Sequence, residues 1–437
     1  MPLLNAPASA PAHRTSIEHL TVSLNGLIFV LLCGAHHLHI HRKTPPHPRS
    51  ICHLTPWDLA LLSVHYNQKG LLFANPPSSS SSLDTRQLVE RLKSTLSTTL
   101  LHFYPLAGRL VTEEDRDADG EVKSTSVYID CGGQGAEFVH AAADGIKVAD
   151  VLALSGHLPD FIRDFFTLDG TVNHDGHFSP LLSVQLTELA DGVFLGCSFN
   201  HAVGDGASNW QFFNAWAEIA RAADGNGGSV SFPPPVHDRW FVDGHGAPPV
   251  KLPFTDPIHF IERRGRTRSA GEGLVVVPGA ERPRLARRDA RAGLAPGQAT
   301  SCRFSVDNRA RLQPPLAKEY FGNSICSAGA SAAAGELLAR GIGWAAALVN
   351  RAVAENTDAA VRAQLGAWMA RPVVHRLGGL DKSCVMVGSS PRFDTYGCNF
   401  GWGKAVAVRS GAANKFDGKV ILYPGGREGG AWTWSCA

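Results

Sequence analysis

Apolar and polar positions alternate most regularly between residues 182 and 199. Leu182, Val184 and Leu186 alternate with Ser183, Gln185 and Thr187, the period of a strand with one buried face. Asp191-Gly192 supplies a tight turn. Val193–Phe199 is nearly all apolar, which predicts a return strand buried on both faces. It runs straight into Asn200-His201. The period then becomes helical: Trp210, Phe213, Ala217 and Ala220 share one face of Ser208–Ala220. Leu88, Leu92, Leu96 and Leu100, four residues apart, predict a second helix over Leu83–Leu101. Thr55-Pro56-Trp57-Asp58-Leu59 starts a helix, with Thr as cap and Pro in the first turn. Thr125–Asp130, Ala136–Val139, Cys384–Val387, Ala405–Val408 and Val420–Leu422 read as short strands, and Ala-rich Ala328–Arg371 reads as helical. No internal repeat is visible.

The 437 residues exceed one ordinary core and suit two domains of about 200 residues each. With 44% apolar and 18% charged residues, the chain is globular rather than disordered or fibrous. A net charge of +2 leaves no electrostatic footprint for nucleic acid. Nine scattered cysteines without C-x-x-C argue against a disulfide framework or zinc ribbon and favour a reducing compartment. The longest apolar run, Leu27–Cys33, is seven residues, where a membrane span needs about 20. With no targeting segment, a cytoplasmic location is expected by elimination. Residues 1–50 form an atypical leader rich in Pro and His, read as disordered. Its tract His36-His37-Leu38-His39-Ile40-His41 could suggest a metal site, but no metal is assigned. Residues 51–228 read as a first domain and 229–292 as a crossover. The crossover holds the Gly/Pro-rich Gly225–Pro249 boundary and then nine arginines between Arg263 and Arg291. Residues 293–437 read as a second domain.

The chemistry centres on Ser198-Phe199-Asn200-His201-Ala202-Val203-Gly204-Asp205-Gly206. A His delivered by a buried strand onto a glycine-containing loop can be held rigidly with one ring nitrogen exposed, as a general base requires. Asp205 can brace the loop, and Gly204 and Gly206 let it turn tightly. H-x-x-x-D alone is weak: with 19 His in the chain, chance yields roughly one match. There are two, the other being His140–Asp144, which reads as a surface His at a strand end. Gly132-Gly133-Gln134-Gly135 is not a dinucleotide site, because no helix pattern opens after it.

These residues, taken with others in order along the chain, resemble the plant BAHD acyltransferases over most of Leu54–Gly430. The similarity rests on Leu54-Thr55-Pro56-Trp57-Asp58-Leu59, Phe103-Tyr104-Pro105-Leu106-Ala107-Gly108-Arg109 and His201-x-x-x-Asp205. It continues through Asn308-Arg309-Ala310-Arg311, Pro314-Pro315-Leu316, Tyr320-Phe321-Gly322-Asn323, Asn399-Phe400-Gly401-Trp402-Gly403-Lys404 and Pro424–Gly430. The Thr-Pro-Trp-Asp-Leu opening and Ser390-Pro391-Arg392-Phe393 look like one subgroup of acetyltransferase-like members. The resemblance implies a two-domain α/β fold like chloramphenicol acetyltransferase, with mixed sheets flanked by helices and a channel between the domains. It implies a monomer that transfers acyl groups from coenzyme A thioesters to a hydroxyl or amine of a small metabolite, with acyl-CoA as co-substrate and no resident cofactor or nucleic-acid or membrane partner. His201 would be the base and Asp205 a brace through an Arg. Tyr320, Phe321, Gly322 and Asn323 would lie near the pantetheine arm, and Ser389 and Ser390 would be oxyanion donors near the substrate. Asn399, Phe400, Gly401, Trp402 and Gly403 would form a structural motif, with residue 399 facing an Arg of Asn308–Arg311.

Departures from the family support a second expectation, a non-catalytic member with a damaged second domain. Residues 1–53 precede the first motif, Arg263–Arg291 stands where the family has a strand and a helix, and Asn399 replaces an Asp. The tail lacks the family's last strand and helix. Ala431-Trp432-Thr433-Trp434-Ser435-Cys436 would become Val-Asp-Leu-Glu-Leu if its codons were read two bases later. The tail and the Arg-rich stretch therefore read as out of frame.

Overall fold

The computed structural model describes residues 50–74, 85–153, 160–223, 230–244, 248–263, 294–379, 383–388, 392–416 and 418–424. It also gives, as backbone alone, strands at 22–24, 27–29, 38–40, 273–278 and 431–436. The side chains of the His36–His41 tract, most of Arg263–Arg291, Ser389 and Ser390 lie outside the described residues.

The hairpin legible in the sequence sits inside a six-stranded sheet. Its strand order is Ala407–Arg409, Asn67–Ala74, Gly192–Phe199, Leu182–Leu189, Ala136–Ala143, Leu38–Ile40. Every residue of Gly192–Phe199 is buried, because antiparallel neighbours flank it on both sides and apolar layers cover both faces. On one face the helices Thr85–His102 and Gly206–Ala222 bring Leu88, Leu92, Leu96, Trp210, Phe213 and Trp216 against Leu71, Phe73, Val184 and Leu195. On the other, Ile162, Phe165 and Phe166 pack against Leu72 and Phe194. That layer lies so close that a Cβ on Gly196 would sit 2.1 Å from the Phe165 carbonyl oxygen, which explains a glycine inside a central strand. Ala136–Ala143 runs parallel to Leu182–Leu189, so the sheet is mixed.

A second six-stranded sheet runs Gly273–Pro278, Ala431–Cys436, Lys419–Pro424, Cys384–Val387, Ala299–Asp307, Ile325–Ala333. Cys384–Val387 is parallel to both neighbours and the remaining pairs are antiparallel. Val349 of the helix Gly341–Ala354 packs on Phe304, Val385, Val387 and Val420. A three-stranded sheet of Ile51–His53, Val122–Asp130 and Arg109–Arg116 lies apart from both.

Three expectations change here. Ala328–Arg371 is not helical throughout: Ile325–Ala333 is a strand, paired residue for residue with Ala299–Asp307, and helix begins at Ala334. Nine ladder pairs outweigh a helix preference of a fraction of a kcal/mol per alanine. The Arg-rich stretch contains a strand, Gly273–Pro278, whose Leu274-Val275-Val276-Val277 suits a pleated sheet. The tail also pairs, with Ala431–Cys436 lying between Gly273–Pro278 and Lys419–Pro424. Within the leader, Leu38–Ile40 pairs with Ala136–Phe138 at the sheet edge.

The two halves interlock. Ala407–Arg409, from the second half of the chain, adds an edge strand to the first sheet by pairing with Gly70–Leu72. The helix Asp358–Ala370 inserts Val361 and Leu365 beside Trp57.

Candidate active site

The loop 200–205 links the buried strand Gly192–Phe199 to the helix Gly206–Ala222. Its backbone is held at His201 from both sides. The His201 N–H donates to Asn173 Oδ1 at 2.8 Å, and its carbonyl accepts from Asn323 Nδ2 at 2.7 Å. Asn173 is itself fixed, donating from Nδ2 to the Leu61 carbonyl at 2.8 Å and accepting at its carbonyl from Asn200 Nδ2 at 2.8 Å. Asn323 Nδ2 also donates to Asp58 Oδ1 at 2.8 Å, while Asp58 Oδ2 accepts from the Thr55 N–H and hydroxyl, both at 2.8 Å. The Thr55–Asp58 capping box therefore connects, through Asn323, to the backbone of His201.

The His201 ring is engaged far less than its backbone. Nδ1 is buried and has no hydrogen-bond partner. Burial lowers the pKa of the imidazole, a polar contact with the residue's own backbone and the Asp205 charge oppose it, and Lys419 and Lys69 lower it further. The ring is thus biased toward the neutral form, in which one nitrogen can accept a proton.

Asp205 does not orient the ring. It caps the helix Gly206–Ala222, accepting from the Ser208 N–H at 3.1 Å, and it also accepts from the Ser324 N–H at 3.1 Å. Arg309 grips the same carboxylate at both oxygens, Nη1 to Oδ2 at 2.8 Å and Nη2 to Oδ1 at 3.0 Å. Burial alone would raise the Asp205 pKa; Arg309 and the two N–H groups outweigh it and hold the carboxyl below its ordinary range. For Arg309 burial works against the charge, and Asp205 more than restores it. The pair spans the two halves of the chain at 1% exposure for Asp205 and 6% for Arg309.

Tyr320, Phe321, Gly322 and Asn323 converge on this loop. The carbonyls of Tyr320 and Gly322 accept from Arg309 Nη2 at 3.1 and 2.9 Å. Gly322 also exchanges two 3.0 Å hydrogen bonds with the Ser208 hydroxyl. Phe321 is fully buried against Phe103, Phe199 and His237. Burial drives the Tyr320 hydroxyl up to about 12. All four are engaged in holding the His201 loop, a role that the expectation of cofactor contact did not include.

Asn399–Gly403 forms a structural turn, but not with the partner expected. Asn399 Oδ1 accepts from the N–H groups of Gly401 and Gly403 at 2.9 and 3.3 Å, and the Asn399 carbonyl accepts from Arg221 at 3.0 Å. The φ angles of 105° and 109° at Gly401 and Gly403 explain why both are glycine. Phe400 is fully buried, with its ring 5.0 Å from Trp216 and stacked 5.3 Å from Trp402. Neither Arg of the 308–311 loop faces Asn399. Arg309 holds Asp205, and Arg311 donates to the carbonyls of Val353 and Asn356, each at 3.0 Å. The expected site for a carboxylate at position 399 is therefore corrected, since the argininium already has its anion in Asp205.

His140 lies on the strand Ala136–Ala143 with Nε2 2.6 Å from Glu188 Oε1, away from this network. The sequence reading did not single out Asn173, Asn323 as the hinge to Asp58, or two lysines near His201.

Comparison with known proteins gives one consistent result. A model of the transferase family matches residues 43–262 and 285–436. An uncharacterised acetyltransferase of Arabidopsis thaliana is 37% identical over 409 residues, covering 87% of this chain and 89% of that protein. BAHD acyltransferase DCR of the same plant is 32% identical over 432 residues, covering 89% and 85%. Among solved structures, vinorine synthase superposes with a TM-score of 0.65 at 19% identity over 92% of this chain and 93% of that one. TRI101 of F. sporotrichioides, in complex with coenzyme A and T-2, gives 0.62 at 14% identity over 88% and 94%.

Proposed function

The chain belongs to the plant BAHD acyltransferase family, and we propose that it carries an acyl group from a coenzyme A thioester to a hydroxyl or amine of a small metabolite, with His201 as general base. One observation carries the assignment: His201 is clamped at both its N–H and its carbonyl, while its ring keeps a depressed pKa. Such a residue has a fixed aim and a free lone pair.

The neutral imidazole takes the proton of the acceptor O–H or N–H. The acceptor's lone pair forms the bond to the thioester carbonyl carbon, whose electrons move onto oxygen. Collapse of that oxyanion breaks the C–S bond, and the imidazolium returns its proton to the leaving sulfur. No acyl-enzyme forms. Ser389 and Ser390 stand as oxyanion donors by family resemblance. Asp205 and Arg309 act on the loop and not on the proton, because the polar contacts of Asp205 go to Arg309, the helix start and the Ser324 N–H, and none goes to the His201 ring.

Support for a working second half comes from its sheet. The strands Gly273–Pro278 and Ala431–Cys436 stand in the stretches that the damaged-domain reading took as lost.

The deciding experiment mixes purified protein with a panel of acyl-CoA donors and of alcohol and amine acceptors, and follows free thiol. Acceptor-dependent thiol release is expected from the wild type and about 10²–10⁴-fold less from His201→Ala. Equal release from both proteins would remove His201 from the reaction.

A further inference from the structure

Two lysines in the molecular interior are left unexplained by the proton-transfer scheme. Lys69 lies on the strand Asn67–Ala74, opposite Cys197, which itself stands four residues before His201. It is 6% exposed, and its strand neighbours Leu71 and Phe73, like Cys197, belong to the main apolar cluster. Its ammonium donates to the Tyr423 hydroxyl at 3.1 Å and sits 5.2 Å from that ring. Tyr423 and Lys419 lie four residues apart on the strand Lys419–Pro424 and so share one of its faces. The half-buried Lys419 turns its ammonium over the end of the neighbouring strand: a Cβ on Gly388 would fall 2.4 Å from Nζ, one residue before Ser389. Lys69 and Lys419 thus come from the two halves of the chain to the same face of the strand Lys419–Pro424 at Tyr423, and the charge of each lowers the pKa of the His201 ring.

Around this pair the described titratable groups are Tyr423, Cys384 and His201 and, through Tyr423, Arg409, Lys415 and Tyr396, while the Lys419 ammonium lies 5.6 Å from the Phe416 ring. None is a carboxylate, and neither lysine has an ion-pair partner among the described residues. Burial pushes Lys69 down to about 7, and burial with the neighbouring Lys69 charge pushes Lys419 down to about 8. An apolar side chain would fill either position without that desolvation. Buried cations lacking a counter-ion are stabilised when a ligand supplies one.

We propose that Lys69 and Lys419 form an anion subsite beside His201 that receives the carboxylate of one of the two substrates. The phosphates of coenzyme A sit at the opposite end of the pantetheine chain from its sulfur. An anion near His201 therefore belongs to the acyl group or to the acceptor. The subsite rests on the acyl-transfer reading for its place in the reaction but not for its existence.

Two matched pairs separate the sources: succinyl-CoA against its methyl ester as donors, and 3-hydroxybenzoate against methyl 3-hydroxybenzoate as acceptors. The wild type is expected to favour the free acid of one pair by about 10- to 100-fold in kcat/KM, the worth of a charged hydrogen bond or two. The pair that shows the preference names the source. Lys69→Met and Lys419→Met should each collapse the preference, whereas the exposed Lys123→Met should keep it. Equal use of acid and ester in both pairs, or an equal loss for both members in the lysine variants, would overturn the subsite. A readout without turnover covers failure of the acyl-transfer reading itself. Succinate or 3-hydroxybenzoate should raise the wild-type melting temperature where the matching ester does not, and Lys69→Met should abolish the rise. Stabilisation without thiol release would keep the subsite and discard the reaction; no acid-specific stabilisation and no acid preference would discard the subsite.

Discussion

His201 and His140 each stand four residues before an aspartate, one just beyond a strand and the other within a strand of the same sheet, yet they share almost nothing physically. His140 is in mid-strand, partly exposed, with Glu188 at 2.6 Å. Its environment supplies one counter-charge and nothing that holds its backbone in an unusual course. His201 lies just beyond a strand whose every residue is buried. Its backbone is tied to Asn173 and Asn323, and the aspartate of its motif is locked by an argininium from the other half of the chain. Of the two H-x-x-x-D spacings, only that of His201 has an aspartate that caps a helix and turns its carboxylate to an Arg rather than to the imidazole.

The contrast breaks most sharply in activity. His201→Ala should cost about 10²–10⁴-fold in kcat/KM with an unchanged circular dichroism spectrum; the same loss from His140→Ala would reverse the assignment. Next in size is the brace. Asp205→Asn leaves the buried Arg309 only the exposed Asp307, at 3.2 Å, as a counter-ion and should lower unfolding free energy by about 3 kcal/mol in urea melts. Because the folded pKa of Asp205 is depressed, its contribution is complete above the unfolded value of about 3.9. It disappears as pH falls through the folded value, so wild type and variant should converge in acid. Asp205→Asn combined with Arg309→Met should recover part of the loss. A double variant no better than the single would mean the pair is not the source.

A smaller effect sharpens the electrostatics of His201. Lys419 and Lys69 lower its pKa alongside burial, so Lys419→Met should move the acid limb of the kcat/KM profile to higher pH. An unmoved limb would place Lys419 outside the field of the ring. Asn399→Asp should change stability by about 1 kcal/mol or less at pH 7. Its side chain bonds to the N–H groups of Gly401 and Gly403, and Arg309 and Arg311 are engaged elsewhere. A clear rise in melting temperature would show that Arg221, which donates to the Asn399 carbonyl at 3.0 Å, pairs with the new carboxylate. Smallest is His140→Ala, which loses a partly exposed ion pair and should cost about 0–1 kcal/mol in the same melts, with activity retained.

The local features were determined by the sequence itself. The period-two alternation of Leu182–Thr187 and the apolar run Val193–Phe199 dictated the central hairpin, since their side chains are buried whatever the partner strands are. The fourfold leucine spacing dictated the helix Thr85–His102, and Thr55-Pro56-Trp57-Asp58 dictated the capping box of the short helix Pro56–Leu59. The strand–His201–glycine–Asp205 order marked the site. What only the tertiary structure decided depends on partners far away in the chain. Alanines of Ile325–Ala333 became a strand because Ala299–Asp307 offered a ladder. Ala407–Arg409 joined the first sheet because Asn67–Ala74 had an open edge. Arg309 went to Asp205 rather than toward Asn399, and Lys69 met Tyr423 and Lys419 across two sheets. Burial of apolar residues follows from their own character and can be read locally, whereas that of Ser183, Gln185, Thr187 and Lys69 follows from what covers them. A hydrogen bond or ion pair depends on which two groups the whole fold brings within about 3 Å, and no local pattern carries that distance.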